Sequence, residues 1–94
     1  MRVFKEKSYY TFGCLPLNDL QMAHLSVSRY HAAMIIDSKK GICIIDLGSK
    51  AGTKVNDEKI ENFIPVQIAT GNTLSFGYST RSYKIEIDFN QVED

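Results

Sequence analysis

The sequence is poor in the features that mark several common kinds of protein. Its 94 residues include no tryptophan and only two prolines, and eleven basic side chains are balanced by eleven acidic ones. A chain with zero net charge has no field that would hold duplex nucleic acid along its surface. No apolar run is long enough for a signal sequence or a membrane span. We therefore expect an intracellular protein without direct nucleic-acid or membrane contact.

Cysteine is also scarce. Cys14 and Cys43 stand far apart, and they form no recognisable ligand set with His24 and His31. A zinc site requires clustered ligands, so we expect no metal and no cofactor. A disulfide between the two cysteines stays open as an alternative, although two half-buried thiols in a reducing compartment are the expectation.

The chain does have the composition of one folded domain. Its hydrophobic content of 44% and charged content of 23% are ordinary for a globular protein. A chain of this length buries a single core. We expect one domain over residues 1–94, with its core at about 8–89 and short tails on either side.

Apolar and β-branched residues occur in short runs separated by turn residues, and no segment has helical periodicity. A polar loop at 37–41 should place Gly41 in a left-handed conformation. Such spacing predicts an all-β sandwich. Strands are expected at 8–12, 31–36, 42–47, 73–78 and 84–89, with residues 79–82 joining the last two as a hairpin. A tight turn between two very short strands is expected within 55–60, and a frayed tail at 90–94.

Two polar segments carry candidate chemistry. Residues 26–31 place two hydroxyls and the Arg29 guanidinium within four positions, which suits an anion, although such hydroxyls can instead bond their own backbone. Residues 46–56 hold Gly48 and Gly52 around Ser49 and Lys50. This second segment is not a nucleotide-hydrolase phosphate loop, because no glycine-lysine-serine/threonine triplet opens a helix.

The ordered set of motifs resembles the forkhead-associated (FHA) domain. The motifs are Gly13, then Ser28-Arg29-x-His31, then Asp46-Leu47-Gly48-Ser49-x-x-Gly52-Thr53-x-x-Asn56, and finally Leu74-Ser75-Phe76-Gly77. The resemblance implies a sandwich of two mainly antiparallel sheets with recognition loops at one end. It also implies a monomeric module that binds phosphothreonine peptides of partner proteins.

Further matches fall at residues 24–33, 65–68 and 73–83, which resemble the FHA domains of the nuclear phosphatase-one inhibitors. This subfamily is tied to pre-mRNA splicing. The resemblance therefore implies nuclear localisation, with the cytoplasm as the other possibility, and splicing factors as partners.

The resemblance assigns roles to individual residues. Ser28 is the expected phosphate ligand, Arg29 donates beside it, and Lys50 contacts phosphate or peptide. Ser49 and Ala51 share that peptide-binding loop. The residues expected to support the loops structurally are Gly13, His31, Gly48, Gly52, Thr53 and Asn56.

Two positions depart from the family pattern. Cys14 follows Gly13 where the family has an arginine, and a thiol lacks the bidentate, permanently charged donation of a guanidinium. Losing such a partner costs about 2–5 kcal/mol, or on the order of thirtyfold in affinity and more. Ala51 stands where the family often has asparagine or histidine. The chain is then a weakened phosphopeptide reader or a phosphate-independent binding scaffold, and we favour the former because Ser28, Arg29 and Lys50 persist.

Three other functions are considered and not adopted. Ser28 and His31 lack the nucleophile elbow, oxyanion loop and paired carboxylates of an enzyme. The aromatic run near Tyr9 and Tyr10 could stack on nucleic-acid bases, but on a strand it is more typical of core and groove packing. Arg2-Val3-Phe4 lacks the spacer of a phosphatase-docking motif, so direct phosphatase inhibition is not expected.

Overall fold

The chain folds into short strands joined by tight loops. The structure, a computed structural model, describes residues 2–4, 8–37, 41–79 and 81–88, and this part of the chain contains strands but no helix. The strands are β1 (Arg2–Phe4), β2 (Tyr9–Gly13), β3 (Leu20–Gln21), β4 (Ala32–Asp37), β5 (Gly41–Asp46), β6 (Thr53–Val55), β7 (Glu58–Lys59), β8 (Val66–Ile68), β9 (Thr73–Phe76), β10 (Tyr83–Lys84) and β11 (Glu86–Asp88). The expected all-β class is confirmed.

Most strands belong to two sheets. One sheet has the order β3-β2-β4-β5-β8 and the other β10-β9-β6-β7. All pairs in them are antiparallel except β2 with β3. A separate parallel pair joins β1 to β11. The expected sandwich of two mainly antiparallel sheets is thus confirmed.

The core lies between the two sheets. Along β5 and β9 every second side chain is buried, as expected for strands with one inward face. Phe12 of β2 and Phe76 of β9 are fully buried, and their rings stack with centroids 5.0 Å apart. Because these rings belong to different sheets, their stack joins the two layers. The buried aliphatic residues around them include Met34, Ile42, Ile44, Ile68, Leu74 and Ile85.

The strand expected at 84–89 is two strands in the structure, of which only the first forms the expected hairpin with β9. Residues 83–84 pair with β9, whereas Glu86–Asp88 turns away to pair with β1, and the fully buried Ile85 lies between them. Alternation indicates which side chains face inward but not which neighbour a strand chooses. Strands β1, β3 and β8 were not expected, since two- and three-residue strands are too short to show a period. The predicted tail at 90–94 lies outside the described residues.

The predicted turns are confirmed where the structure describes them. Gly41 has a φ of 87°, and Asn56 and Asp57 form the tight turn with φ of 50° and 69°. Residues 38–40, the middle of the predicted hairpin loop, lie outside the described residues.

The strand register gathers the candidate loops at one end of the sandwich. Phe12 pairs with Ala32, and Ala32 pairs in turn with Asp46. In the other sheet Thr53 pairs with Phe76. The chain leaves the sheets shortly after Phe12, Asp46 and Phe76 and enters them at Ala32 and Thr53. The loops at these points must therefore emerge side by side.

Candidate functional site

His31 joins the two polar segments. The first loop (residues 24–31) precedes β4 and the second loop (residues 47–52) follows β5. The Ser28 N–H donates to His31 Nδ1 at 3.1 Å, so the ring proton is on Nε2, which donates to the Gly52 carbonyl at 2.7 Å. The ring is fully buried and meets Phe76 edge-on. His31 thus holds the two loops at a set separation, the supporting role that the sequence predicts.

The second loop is organised by Asp46, a residue whose side chain the sequence analysis did not single out. Its buried carboxylate accepts the hydroxyls of Ser49 and Thr53, each at 2.6 Å. It also accepts the backbone N–H groups of Gly48 and Ser49, at 3.0 and 2.9 Å. An acidic residue at the end of an apolar strand is the sequence signal that could have revealed it.

These contacts set the pKa of Asp46. Burial by itself raises the pKa of this carboxyl, but hydrogen bonds from the Ser49 and Thr53 hydroxyls and the Ser49 N–H lower it, with a smaller contribution from His31. The pKa consequently falls below its ordinary value. Asp46 is therefore an anion in the folded protein at neutral pH.

Ser49 supports the second loop. Its hydroxyl donates to Asp46 and also accepts the Gly52 N–H at 3.0 Å. Gly52 has a φ of 92°, and a Cβ there would lie 2.5 Å from the Lys59 side chain. The turn from Ser49 to Gly52 leaves Lys50 exposed and Ala51 partly exposed at its tip. The structure hence places Ser49 beneath the two residues that it presents to solvent.

A third segment, residues 13–18, packs against the first loop. The Cys14 N–H donates to the Ser28 carbonyl at 3.0 Å, so residue 14 is adjacent to Ser28, as the family pattern requires. A Cβ on Gly13 would lie 2.1 Å from the Arg29 carbonyl oxygen, which only glycine avoids. The Cys14 side chain is partly buried and packs against the hydrophobic core.

Asn18 fastens this third segment, and the sequence analysis missed it. Its side-chain amide donates to the carbonyls of Leu15 at 2.9 Å and Arg29 at 2.8 Å. The residue is buried, whereas Arg29 itself is exposed. No sequence signal distinguishes Asn18 from an ordinary turn residue.

A cleft of about 340 Å³ opens where the loops meet. Within it the Lys50 N–H lies 3.4 Å from the Ser28 hydroxyl oxygen. Among the sequence-predicted site residues, Ser28, Lys50 and Ala51 line this cleft, while Arg29 and Ser49 do not. The cleft is lined by Leu25, Ser26, Val27, Ser28, Lys50, Ala51 and Tyr78.

Ser26 forms the far wall of the cleft. Its hydroxyl oxygen accepts the Tyr78 N–H at 2.8 Å and lies 2.7 Å from His24 Nδ1. Leu25 and Tyr78, on either side of this contact, are strongly exposed. Ser26 hence ties the first loop to the turn after β9.

The other predicted support residue, Asn56, lies away from the cleft. Its side-chain oxygen accepts the Thr73 N–H at 2.9 Å, and its own N–H donates to the Thr73 carbonyl at 2.8 Å. Asn56 therefore fastens the β6–β7 turn to β9.

The described residues hold no group of three histidine, cysteine or acidic side chains arranged for a metal ion. Cys14 and Cys43 are both free thiols. In the same residues no helix is long and apolar enough to cross a membrane.

Comparison with known proteins identifies the family. The FHA domain model matches residues 10–77. The chain belongs to the forkhead-associated domain family, whose members are binding modules, generally for phosphothreonine peptides, and generally not enzymes.

The similarity to two individual relatives supports this family assignment. The chain is 41% identical to the human nuclear inhibitor of protein phosphatase 1 over 85 residues, which cover 88% of this chain and 24% of the inhibitor. It is 43% identical to a protein phosphatase 1 regulatory inhibitor subunit homologue of Arabidopsis thaliana, over 69% of this chain and 18% of the homologue. The chain thus spans about a quarter or less of these relatives.

A solved structure shows the same fold. The FHA domain of the CT664 protein from Chlamydia trachomatis superposes with a TM-score of 0.63 at 33% identity, covering 73% of this chain and 67% of that one. The predicted resemblance to FHA domains, and to those of the nuclear phosphatase inhibitors, is confirmed.

Proposed function

We propose that this domain binds phosphothreonine peptides in the cleft between the first and second loops. The observation that carries the proposal is that Ser28 and Lys50 come from separate loops and line one cleft at a backbone-to-hydroxyl distance of 3.4 Å. The Ser28 hydroxyl donates to a phosphate oxygen and the Lys50 ammonium neutralises the charge. Arg29 does not line the cleft, but it is exposed next to Ser28 and adds positive charge beside it.

The phosphate affinity of this domain is reduced by Cys14. Its backbone occupies the place beside Ser28, but its thiol packs on the core and supplies neither charge nor strong donors. Exposed Leu25 and Tyr78 then contribute apolar contacts with the residues that flank the phosphothreonine.

The partners proposed are nuclear proteins of RNA processing. The 41% identity to the human nuclear inhibitor of protein phosphatase 1 supports a nuclear partner. The resemblance of residues 24–33 to a subfamily tied to pre-mRNA splicing supports one in RNA processing. Because the chain covers 24% of that protein, phosphatase inhibition is not part of the proposal. We further propose that residues 1–94 form a single domain and that this domain acts as a monomer.

Calorimetric titration with a threonine-phosphorylated splicing-factor peptide and its unphosphorylated twin tests the proposal. We expect heat from the phosphorylated peptide only. Equal affinity for the two peptides, or no binding of either, would contradict it. Equal affinity would instead support the second candidate, a phosphate-independent scaffold, which the exposed Leu25 and Tyr78 at the cleft favour.

A substitution at Cys14 sharpens the same test. Cys14→Arg restores a bidentate cation beside Ser28, so affinity for the phosphorylated peptide should rise about thirtyfold, from about 2 kcal/mol of added pairing. Affinity for the unphosphorylated peptide should not change. The control is Cys43→Arg on β5, which should leave both affinities unaltered.

A further inference from the structure

A second cavity adjoins the proposed peptide cleft. It has a volume of about 370 Å³ and is lined by Gln21, Met22, Ala23, His24, Ser79, Arg81 and Tyr83. His24 of this cavity directly precedes Leu25 of the cleft, and Ser79 directly follows Tyr78 of the cleft. The two cavities therefore lie on opposite sides of one wall, held by the contact of Ser26 with His24 and Tyr78.

The hydrogen bonds of that wall determine which nitrogen of His24 carries the proton. The Ser26 hydroxyl oxygen accepts the Tyr78 N–H, so its own proton is directed to His24 Nδ1 at 2.7 Å. The Ser26 N–H also donates to Nδ1, at 3.1 Å. The ring proton must then be on Nε2. Within the described part of the chain no group accepts from it, so His24 offers the second cavity a donor.

Ser79 and Gln21, on the same lining, also offer donors. The Ser79 hydroxyl oxygen accepts the Arg81 N–H at 3.2 Å, which leaves the hydroxyl proton free. Gln21 donates one amide proton to the Cys14 carbonyl at 3.2 Å and retains a second. The exposed Arg81 guanidinium has no acidic partner among the described residues. No carboxylate lines the cavity, and Arg81 is its fixed positive charge.

We propose that this second cavity binds a second anionic group of the same peptide, a carboxylate or another phosphate, with Arg81 as the pairing cation. The inference rests on the proposed function, since the phosphothreonine must occupy the neighbouring cleft. A guanidinium with neutral donors on the same lining suits a planar carboxylate or a phosphate, whereas a neutral side chain forms no ion pair with Arg81. The peptide that this domain selects is thus doubly anionic.

The test uses one phosphothreonine peptide with neutral flanks and a set in which glutamate or phosphoserine replaces each flanking residue in turn. At one position we expect the second anionic group to raise affinity about fivefold, the upper range for a partly solvated ion pair. A larger gain from phosphoserine than from glutamate identifies a phosphate site, and the reverse a carboxylate site. Arg81→Gln should abolish the gain without altering affinity for the neutral peptide.

Lys54→Gln is the matched control. It removes the same charge from an exposed residue of β6 that lines neither cavity, so the gain should persist. Arg81→Glu should reverse the preference, favouring lysine at the same peptide position. The inference is overturned if the neutral phosphopeptide binds but no second anionic group adds affinity, or if the gain survives Arg81→Gln. Failure of the neutral phosphopeptide to bind at all overturns the proposed function as well, so the two failures are distinguishable.

Discussion

The two loops that form the cleft are stabilised in opposite ways. The second loop is organised from within, because Asp46 at its start accepts hydrogen bonds from Gly48, Ser49 and Thr53. The first loop is held largely from outside, by Cys14 and Asn18 on one side and by Tyr78 on the other, while its own His31 bonds to Ser28. The second loop depends mainly on one buried anion, and the first depends on several separate neighbours.

This difference bears on binding. A loop whose donors converge on one buried carboxylate has few alternative conformations, so Lys50 is presented on a rigid base. The first loop carries Ser28 and the exposed Leu25, and its position depends on hydrogen bonds from separate segments of the chain. Perturbing the second loop should therefore destabilise the domain more than removing any one support of the first loop, which should also alter the cleft.

The largest effect is expected for Asp46→Ala. The substitution leaves two hydroxyls and two N–H groups without their acceptor in a buried site, and each unsatisfied group is costly. We expect the free energy of unfolding to fall by about 3–5 kcal/mol, measured by urea denaturation. Glu61→Ala, at an exposed carboxylate, should change it by less than about 0.5 kcal/mol. A loss no larger than that of the control would show that the second loop is not organised by this anion.

The same side chain predicts a pH dependence. The pKa of Asp46 in the folded protein lies below 3.8, its ordinary value, which we take for the unfolded chain. Its ionised form therefore contributes stability above pH 3.8, and this contribution is lost as the pH falls through the lower folded pKa. Urea denaturation of wild type and Asp46→Ala should show a constant difference near neutral pH and a shrinking one below pH 3.8. A difference that grows on acidification would reverse the assigned direction.

The contrast between the loops also explains what the sequence could predict. The second loop follows from local residues: its acid, hydroxyls and glycines all lie within residues 46–53, and the motif is visible in order. The strands that carry the core were predicted for the same reason, since alternation is a local property. The exception is the division at Ile85, where two short strands pair with different partners.

The supports of the first loop could not be predicted in this way. Asn18 contacts Arg29, and Ser26 contacts Tyr78 across 52 positions of sequence. A polar residue in a turn has no local signature of a distant partner, because only the register of the sheets brings the partner near. The family motif predicts that Cys14 lies beside Ser28. The packing of its thiol on the core could not be predicted, because that contact also depends on the arrangement of the sheets.

Asn18→Ala tests the external support of the first loop with an intermediate effect. The change removes hydrogen bonds to the Leu15 and Arg29 carbonyls from a buried residue, so unfolding should become easier by about 2 kcal/mol. The Asn18 side-chain oxygen has no partner among the described residues, which keeps the loss from being larger. Asn62→Ala, at an exposed amide, is the control. Phosphopeptide affinity should fall in Asn18→Ala alone, and unchanged affinity would mean that Ser28 is held without this support.

Ser26→Ala should have the smallest effect and the most local one. It removes the acceptor of the Tyr78 N–H and the hydroxyl donor to His24 Nδ1, both at a partly exposed site where water replaces the lost bonds, while the backbone N–H of residue 26 still donates to His24. The free energy of unfolding should fall by about 0.5–1 kcal/mol. Hydrogen exchange of the Tyr78 amide should nevertheless accelerate severalfold, because the wall between the two cavities opens without global unfolding. Ser75→Ala, on β9, should leave this exchange rate unchanged. If Ser26→Ala slowed or did not alter the exchange, the turn after β9 would be held by the sheet alone, and the first loop would have one external support fewer.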